Sequence, residues 1–514
     1  MTPHYVLGID NGGTVTKAAL YDMAGNVYAI AQSHLATQVP RPFFTERDID
    51  QFWQANVTAI RRVLETSGID PTTIAALAVT GHGNGIYLAR KDGSAPRPGV
   101  VSTDTRAQSI VDQWLAHPDY DRRVRAKTGS TVWAGQPPAL LAWFDQHEPH
   151  LFDDTDYVLS AKDYIRFRLT GRAAMEITDS CAVGMANVVT KEPDADLLDF
   201  YGISRWQEKI PEFCRSTEIA GHITADAAAE TGLAVGTPVA GGVMDVVAGA
   251  LAAGLVEENE LTVITGTWSI NEVLSRTVTD EGKVWLTVPY PIEDTYLFLD
   301  ASPNGVANLD WYINSVIRPA LAAFGQERSD ADVFAACETM IRDVTPDVED
   351  PFFLPYINGT DIIPDGRAGF VGLTSYHDIR HQVRAVYEGV IFSHLYHIDQ
   401  LRTHGDFAGH ARFTGGAANS TIWLQMFADA IGMPLDIVDA TESGTLGTAI
   451  CSAVAAGLYP DVRAAVSAMT SAPRTTIHPD PEFTALFRAR YARFIAHIDS
   501  LRTHEGHHAN PCHR

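Results

Sequence analysis

The sequence predicts an α/β protein with two similar lobes. Two loops of glycine and hydroxyl residues, at 8–17 and 265–269, support this prediction, and each follows an apolar run typical of a buried strand. Glycine has no side chain to keep a phosphate away from backbone N–H groups, and Thr or Ser adds further donors. The first loop also holds Asp10, a carboxylate that fits beside phosphates if a cation such as Mg²⁺ lies between them. The two loops therefore indicate a polyphosphate that both lobes bind together with Mg²⁺.

The length of the chain also requires more than one domain. Single hydrophobic cores stop growing at about 250–300 residues, and this chain has 514 residues. The strand-and-loop pattern restarts after the passage 243–252, so we place the boundary between the lobes there. The predicted domains are residues 1–247 and 248–500, and a polar tail at 501–514 is rich in His. Metal binding by this tail stays open, although a frayed polar end is the simpler explanation.

The charge of the chain argues against two classes of partner. The formal net charge is -25, which argues against a broad nucleic-acid surface and against an anionic membrane surface. A local phosphate site is still compatible, because backbone amides, a helix N-terminus and Mg²⁺ supply positive potential locally. The five cysteines are scattered without metal-ligand spacing, no secretory signal is visible, and no apolar run has the length of a bilayer span. We therefore expect a cytoplasmic protein without nucleic-acid or membrane partners.

The first lobe begins with signals that predict an antiparallel meander. Strand-like runs at 5–10, 17–22 and 26–31 are separated by turn residues. Asp48 then precedes a segment with apolar residues at helical spacing, which predicts a helix beginning at this residue. A further buried strand is predicted at 75–80. The loop after it is a candidate ligand position, because loops at the carboxyl ends of strands bind ligands in α/β sheets.

The later elements are predicted from the same signals. Residues 193–223 lack a regular pattern, and a helix is predicted at 225–231. The passage 237–245 predicts a strand that ends at Asp245, and the run 296–300 predicts a strand of the second lobe. The early glycine loop lacks the G-x-G-x-x-G spacing, which excludes a Rossmann dinucleotide site.

Several separated motifs of this sequence resemble those of the FGGY family of carbohydrate kinases. They occur in the order that the family shows and cover about residues 5–455. They include two phosphate loops, a signature of the first lobe, the strand before the catalytic aspartate, an adenosine motif and a closing helix. The motifs lie at 10–17, 135–147, 240–245, 266–269, 354–359, 385–390, 414–429 and 442–449.

The resemblance implies the fold of the family. Its members have two RNase-H-like lobes of the actin, hexokinase and Hsp70 superfamily, with a cleft between the lobes. Within the family the chain is most similar to the xylulose kinases. Leu140, at a position where most members have Lys, and the segment 102–106 make the chain similar to the L-xylulose kinase branch.

The same resemblance implies an activity. A member of this branch uses ATP and Mg²⁺ to phosphorylate a ketopentose such as xylulose at its terminal hydroxyl, which forms the 5-phosphate. Two alternatives stay open: a kinase for another ketose or polyol, such as ribulose or erythritol, and a sugar-sensing relative without catalysis. The implied partners are the sugar and ATP, and a homodimer is left open.

Asp245 is the candidate general base. From the residues alone, a carboxylate at this point either accepts the proton of a sugar hydroxyl or caps the helix that follows. The resemblance implies the first role, and it adds Asp245 to Asp10 as a candidate Mg²⁺ ligand. Asp10 would bind the ion through water, since Mg²⁺ keeps part of its hydration shell. Lys17 is a candidate phosphate contact, with a solvated strand residue as the alternative.

The resemblance also implies the remaining binding residues. The sugar would contact Gly83 and Asn84, in a segment where the xylulose kinases usually have Met-His. Trp133 would stack on the C–H face of the sugar, unless this ring only packs in the core. Asp104 and Glu46 are further sugar candidates, and Glu46 alternatively caps a helix entry. The candidate nucleotide residues are Gly12, Gly13, Thr14, Lys17, Gly266, Thr267, Ser269, Gly415, Gly416, Ala417 and Asn419.

Overall fold

A six-stranded mixed sheet contains the first strands of the chain in the computed structural model. The first three strands pair antiparallel, which confirms the predicted meander. The first strand also pairs parallel with the fourth, the fourth pairs parallel with the sixth, and the fifth and sixth are antiparallel. In chain order these strands are Tyr5–Asn11, Val15–Tyr21, Val27–His34, Ile74–Gly81, Ile219–His222 and Pro238–Ala240.

A second mixed sheet repeats this pairing pattern. Its strand Leu261–Thr265 pairs antiparallel with Ser269–Ser275 and parallel with Ala411–Gly415. The strand Ala411–Gly415 pairs parallel with Leu435–Ile437, which pairs antiparallel with Thr475–Ile477. The first strand of the first sheet has the same succession of neighbours. On one side lies an antiparallel strand. On the other side lie two parallel strands, followed by an antiparallel one. This repetition confirms the predicted α/β class with two similar lobes.

The structure describes residues 5–278, 284–326, 328–360, 362–363, 365–439 and 442–505, with side chains as far as residue 502. No helix in these ranges is long and apolar enough to cross a membrane. The other strands are Glu46–Arg47, Tyr87–Ala89, Gly99–Val100, Tyr157–Leu159, Met175–Glu176, Ala186–Asn187, Glu192–Pro193, Phe213–Cys214, Leu286–Pro289, Tyr296–Ser302, Phe352–Leu354 and Gly369–Val371. The α-helices are Ile49–Ser67, Gln108–Leu115, Ala126–Thr128, Pro137–His147, Leu151–Asp154, Ala161–Thr170, Ile177–Ala182, Ala195–Phe200, Ala225–Thr231, Asp245–Ala252, Ala307–Tyr312, Arg318–Ala323, Asp330–Arg342, Ile379–Leu401, Thr421–Ile431, Ser443–Ala455, Val462–Met469 and Pro481–Glu505.

The chain folds into two units that are interleaved along the sequence. The first unit consists of the described residues in 1–258, 274–298 and 440–471, and the second of those in 259–273, 299–439 and 472–514. The boundary predicted at residue 247 stays a prediction, and most of the His-rich tail lies outside the described residues. Two late segments belong to the first unit, and one of them carries the helix Ser443–Ala455.

The helix Ser443–Ala455 packs against the first sheet, on strands Tyr5–Asn11 and Ile74–Gly81. The contact is so close that it requires glycine, since a methyl group on Gly8 would lie 1.9 Å from the carbonyl oxygen of Thr445. Both partners are backbone, so neither can move aside as a flexible side chain would. The residue at position 8 therefore sets the distance between the strand and this helix.

The helix Ile49–Ser67 shows why the local sequence predicted its position. Asp48 has an extended backbone, and its side chain accepts a hydrogen bond from the backbone N–H of Gln51. This carboxylate satisfies one of the donors that a helix start leaves free. The helix ends at Gly68, which has a φ of 64°. The predicted helix is confirmed, and Asp48 caps it from the position just before its first residue, Ile49.

Two predictions about the first unit are wrong. Residues 193–223, predicted as irregular, contain the helix Ala195–Phe200, which Asp194 caps, and the strand Ile219–His222. The strand predicted to end at Asp245 ends at Ala240 instead, and Asp245 is the first residue of the next helix. Short elements escaped the pattern because six residues hold too few apolar positions for a periodicity to show.

Candidate active site

Three carboxylates lie close together in the first unit: the buried Asp179 and the half-buried Asp10 and Asp245. Burial raises the pKa of Asp10 to about 6, while the Lys17 ammonium opposes this rise. Burial raises the pKa of Asp245 to about 7, and the carboxylates of Asp179 and Asp10 raise it further. Burial also raises the pKa of Asp179 to about 6, against the opposing charge of Lys162. The site therefore concentrates negative charge that a bound cation would stabilise.

Asp245 does not cap the helix that it begins. The capping position is held by Met244, and no side chain caps this helix. One carboxylate oxygen of Asp245 instead accepts the backbone N–H of the next residue, Val246, at 2.8 Å. The backbone N–H of Gly83 also bonds to this carboxylate and lowers its pKa in part. The alternative role as a helix cap thus finds no support in the geometry.

The first phosphate loop is a tight hairpin turn between strands Tyr5–Asn11 and Val15–Tyr21. The backbone N–H of Gly12 donates to the carbonyl of Val15 at 3.0 Å. Gly13 and Thr14 are exposed at the tip, as a ligand-binding loop requires. The buried guanidinium of Arg47 donates to the carbonyls of Gly12 and Gly13 and thereby fixes the tip of the turn.

Lys17 is not a free strand residue. Its ammonium lies 3.0 Å from a carboxylate oxygen of Glu442, the residue just before the helix Ser443–Ala455. The first turn of this helix lies against Asp10. A methyl group on Gly444 would lie 2.3 Å from a carboxylate oxygen of Asp10. The start of this helix thus brings positive potential to the first phosphate loop, while the charge of Lys17 is paired with Glu442.

The loop after strand Ile74–Gly81 reaches the candidate base. A methyl group on Gly83 would lie 2.0 Å from the terminal carbon of Met244, the residue before Asp245. Asn84 follows with a φ of 61°, a left-handed conformation that Asn tolerates better than most residues. The structure thus brings Gly83 close to Asp245. Asn84 is the residue that follows Gly83 in the chain.

Trp133 lies beside the same loop. Its indole N–H donates to the carbonyl of Ser102 at 3.0 Å, and the backbone N–H of Gly85 donates to the carbonyl of Gly135 at 2.6 Å. The ring of Trp285 stands edge-on to Trp133, with ring centroids 6.4 Å apart. Trp285 was not predicted, because no local motif surrounds it.

Asp104 and Glu46 belong to an ion-pair chain. The Asp104 carboxylate accepts from the guanidinium of Arg106 through both oxygens and from the backbone N–H of Thr45. One oxygen of Glu46 accepts from both Arg106 and Arg97. Asp104 is fully buried, and Arg106 together with the N–H of Thr45 already satisfies it. Sugar contact by Asp104 or Glu46 stays a prediction, and the geometry favours a role in orienting the loop around them.

The second phosphate loop, in the second unit, joins strands Leu261–Thr265 and Ser269–Ser275. The backbone N–H of Gly266 donates to the carbonyl of Trp268 at 3.1 Å, and Thr267 is exposed. Ser269 is fully buried, and its hydroxyl donates to the carbonyl of Asn304. The geometry therefore favours Thr267 over Ser269 as a phosphate contact, and Gly266 shapes the turn.

The predicted adenosine motif adjoins this loop within the second unit. A methyl group on Gly415, which has a φ of 103°, would lie 2.4 Å from the carbonyl oxygen of Thr265. The backbone N–H of Ala417 donates to the hydroxyl of Thr265 at 3.1 Å. Gly416 and Asn419 are exposed. The structure thus brings the second phosphate loop and the adenosine motif together.

The carboxylates of the first unit fit Mg²⁺. No group of three or more His, Cys, Asp or Glu side chains in the described ranges is placed to hold a metal ion. Mg²⁺ does not need such a cage, since it binds through one or two carboxylates together with waters and substrate phosphates. Asp10 and Asp245 supply two hard oxygen donors, and one oxygen of Asp179 is buried without a hydrogen-bond partner within the described residues.

Two similar α/β units, with a glycine and threonine hairpin loop in each and a half-buried carboxylate at the start of a helix, are typical of two-lobed phosphotransferases. The comparison with protein families makes this specific. The N-terminal domain of the FGGY family of carbohydrate kinases matches residues 5–252, and its C-terminal domain matches residues 261–456. The chain belongs to the FGGY family of carbohydrate kinases. It is therefore a phosphotransferase that acts on the hydroxyl of a small sugar or polyol, and kinases of this family use ATP.

Curated relatives and solved structures agree with this assignment. The chain is 32% identical over 506 residues to the L-xylulose/3-keto-L-gulonate kinase of Escherichia coli, covering 98% of each chain. It is 31% identical over 500 residues to a probable L-xylulose kinase of Haemophilus influenzae, covering 97% of this chain and 99% of the relative. The crystal structure of a xylulose kinase from Rhodospirillum rubrum matches with a TM-score of 0.84 at 25% identity, over 97% of this chain and 99% of that one. The predicted family, its xylulose kinase resemblance and its fold are confirmed.

Proposed function

We propose that this kinase phosphorylates a ketopentose, xylulose, at its terminal hydroxyl and forms the 5-phosphate. The observation that carries the proposal is Asp245, a half-buried carboxylate beside Gly83, with Trp133 next to the same loop. The names of relatives support the substrate class, since the two described above are named for L-xylulose. The expected cytoplasmic location belongs to the same proposal, and the free, buried cysteines Cys181, Cys214, Cys337 and Cys451 support it.

Asp245 acts as the base in this proposal. The substrate hydroxyl gives its proton to the carboxylate while its oxygen attacks the γ-phosphorus of ATP, the bond to the β–γ bridging oxygen breaks, and ADP leaves. The raised pKa of Asp245 suits this step, because a carboxylate with greater proton affinity accepts the proton more readily. Neighbouring Gly83 fixes the carboxylate through its N–H, which orients the free oxygen.

Each unit has a loop that would contact phosphate groups in this proposal. Gly13 and Thr14 are exposed in the first loop, and Thr267 is exposed in the second. The N–H groups of Gly12 and Gly266 are bonded within their own loops, so these two glycines would shape the loops. Mg²⁺, when bound, neutralises charge on the phosphate oxygens, and Asp10 and Asp245 would hold it. Burial raises the pKa of Asp10 to about 6 and Lys17 opposes this rise, so the carboxylate is mostly ionised at neutral pH.

The nucleoside end of ATP belongs to the second unit in this proposal. Gly415, Gly416, Ala417 and Asn419 surround a backbone turn without large side chains. Gly416 has open space where a side chain would stand, with its nearest neighbour 3.6 Å from the position of a methyl group. A flat ring can therefore lie against this backbone.

A coupled assay of ADP release tests the proposal. The panel contains D- and L-xylulose, D- and L-ribulose, 3-keto-L-gulonate and erythritol, because one relative, 28% identical over 490 residues, is an erythritol kinase of Brucella abortus. We expect a xylulose to give the highest kcat/KM. A preference for ribulose or erythritol would show that the proposed substrate is wrong and that the kinase activity is right. No turnover with any sugar, despite saturable sugar binding, would favour a sugar sensor.

Asn84→Gly should raise the KM for the preferred sugar. Glycine adopts the left-handed backbone of Asn84 without strain, so the change removes only the amide. A buried sugar hydroxyl left without this partner costs roughly 1–3 kcal/mol of transition-state binding, or about 5- to 150-fold in kcat/KM. The KM for ATP should stay within about twofold. Initial rates over both substrates measure the two constants.

Asn259→Gly is the matched control, because Asn259 has a φ of 60° and lies in the second unit. It should leave the KM for the sugar at the parental value. If Asn84→Gly raised only the KM for ATP, Asn84 would have no place in the sugar site.

A further inference from the structure

The backbone that leads into Asp245 is held by side chains from several elements of the first unit. The hydroxyl of Thr80 donates to the carbonyl of Val243 at 2.6 Å. The guanidinium of Arg166 donates to the carbonyl of Gly241 at 2.6 Å. Gly242, with a φ of 80°, donates its N–H to the carbonyl of Ser216 at 3.0 Å. This segment, residues 241–244, is therefore fixed along its length rather than free like a surface loop.

Among the side chains that hold this segment, Thr178 contacts the residue that directly precedes Asp245. Its hydroxyl accepts the backbone N–H of Met244 at 2.9 Å. The same hydroxyl donates to a carboxylate oxygen of Glu176 at 2.5 Å. Because one hydroxyl both accepts and donates, its direction is fixed at each end. A displacement of Thr178 would thus move Met244, and with it the first residue of the helix.

Glu176 is in turn held by a buried charge cluster. Its carboxylate accepts from the hydroxyl of Ser216 at 2.6 Å and lies 3.2 Å from the ammonium of Lys162. Lys162 also contacts Asp163 at 3.0 Å and Asp179 at 2.9 Å. These side chains are at most 1% exposed. Hydrophobic residues of the same size often stabilise a fold as well as such a cluster does, so stability alone does not explain it.

We propose that Thr178 is a positioning residue for phosphoryl transfer, which the buried cluster around Lys162 and Glu176 holds against the N–H of Met244 so that Asp245 faces the sugar hydroxyl. The proposal rests on the proposed role of Asp245 as the base. Misplacement of a reacting group by about 1 Å costs roughly 100-fold in rate. The hydroxyl of Thr178 acts through the backbone and touches neither substrate.

The test compares Thr178→Val with Thr178→Ser in the full-length protein. Valine keeps the shape and removes the hydroxyl, and serine keeps the hydroxyl. We expect Thr178→Val to lower kcat about 10- to 100-fold, with both KM values within about twofold, and Thr178→Ser to restore kcat. Thr231→Val is the matched control, since the buried Thr231 hydroxyl donates to the carbonyl of Ala227 and accepts from the N–H of Leu233. Its kcat should be parental.

Parental kcat in folded Thr178→Val would overturn the proposal, and so would a serine variant as slow as the valine variant. If Thr178→Val does not fold, Thr80→Val replaces it, because Thr80 holds the same segment; parental kcat there would also overturn the proposal. Asp245→Asn separates the two ideas. If the Asp245→Asn variant is active, the proposed role of Asp245 as the base is wrong. If that variant is inactive while Thr178→Val has parental kcat, only the positioning role of Thr178 is wrong.

Discussion

Asp245→Asn is expected to lower kcat by roughly 10²- to 10⁴-fold, which is the usual contribution of a general base. Asparagine has the shape of aspartate and can still accept the N–H of Val246, so the fold should persist. It cannot take up a proton from the sugar hydroxyl. Steady-state ADP release measures the rate, and calorimetric titration with the sugar should give a dissociation constant within about threefold of the parental value.

Asp194→Asn provides the control for this experiment. Asp194 caps the helix Ala195–Phe200, accepting the N–H groups of Asp196 and Leu197. The same substitution there should lower stability slightly and leave turnover unchanged. If Asp245→Asn behaved in the same way, with a parental rate and a lower melting temperature, Asp245 would be a structural residue at a helix start and the proposed base would be wrong.

Lys162→Met is expected to lower the free energy of unfolding by about 3–5 kcal/mol, the cost of leaving a buried ion pair without one partner. Glu176 and Asp179 would both lose the ammonium that contacts them. Burial lowers the pKa of Lys162, but the neighbouring carboxylates outweigh this effect and hold the pKa well above its usual range. The stabilisation from Lys162 is thus fully present below its unfolded pKa and lost only in strongly alkaline solution. Urea denaturation at pH 7 measures the difference.

The pH dependence of the variant gives a sharper test. Burial raises the pKa of Asp179 even beside the ammonium of Lys162. Loss of this ammonium should raise it further, so the folded variant binds more protons than its unfolded chain. The stability of Lys162→Met should therefore rise as the pH falls from about 7 to 5. Lys127→Met is the control, since the partly exposed Lys127 pairs with Asp194 at 2.8 Å, and it should cost less than about 1 kcal/mol. Equal losses in both variants would mean that burial adds nothing to the Lys162 cluster.

Local signals predicted much of the fold and part of the site. The meander, the helix after Asp48 and both phosphate loops were predicted because each depends on neighbouring residues: alternating apolar runs, a capping carboxylate, and glycines in a turn. The position of Asp245 was harder. Gly241 and Gly242 both end the strand and begin the loop, so an apolar run through them looked like one strand to residue 245.

Contacts between distant residues could not be predicted in this way. Lys17 meets Glu442 although more than 400 positions separate them. The buried Arg47 that holds the tip of the first phosphate loop carries no motif of its own. Glu46 was assigned to the sugar from its place in a motif, while the arginines that hold it became visible only in three dimensions. Such pairings follow from the topology of the sheet, which local sequence does not specify.

The interleaved order of the segments has a consequence for synthesis on the ribosome. The first sheet is complete once residue 240 has emerged, yet the helix Ser443–Ala455 that covers strand Tyr5–Asn11 is made some two hundred residues later. Until then the groove beside Gly8 faces water or a chaperone. One face of the first sheet in the nascent chain thus stays uncovered while the intervening residues are translated. Codon choice and chaperone supply over that stretch should therefore affect the yield of native protein more than equal changes after residue 471.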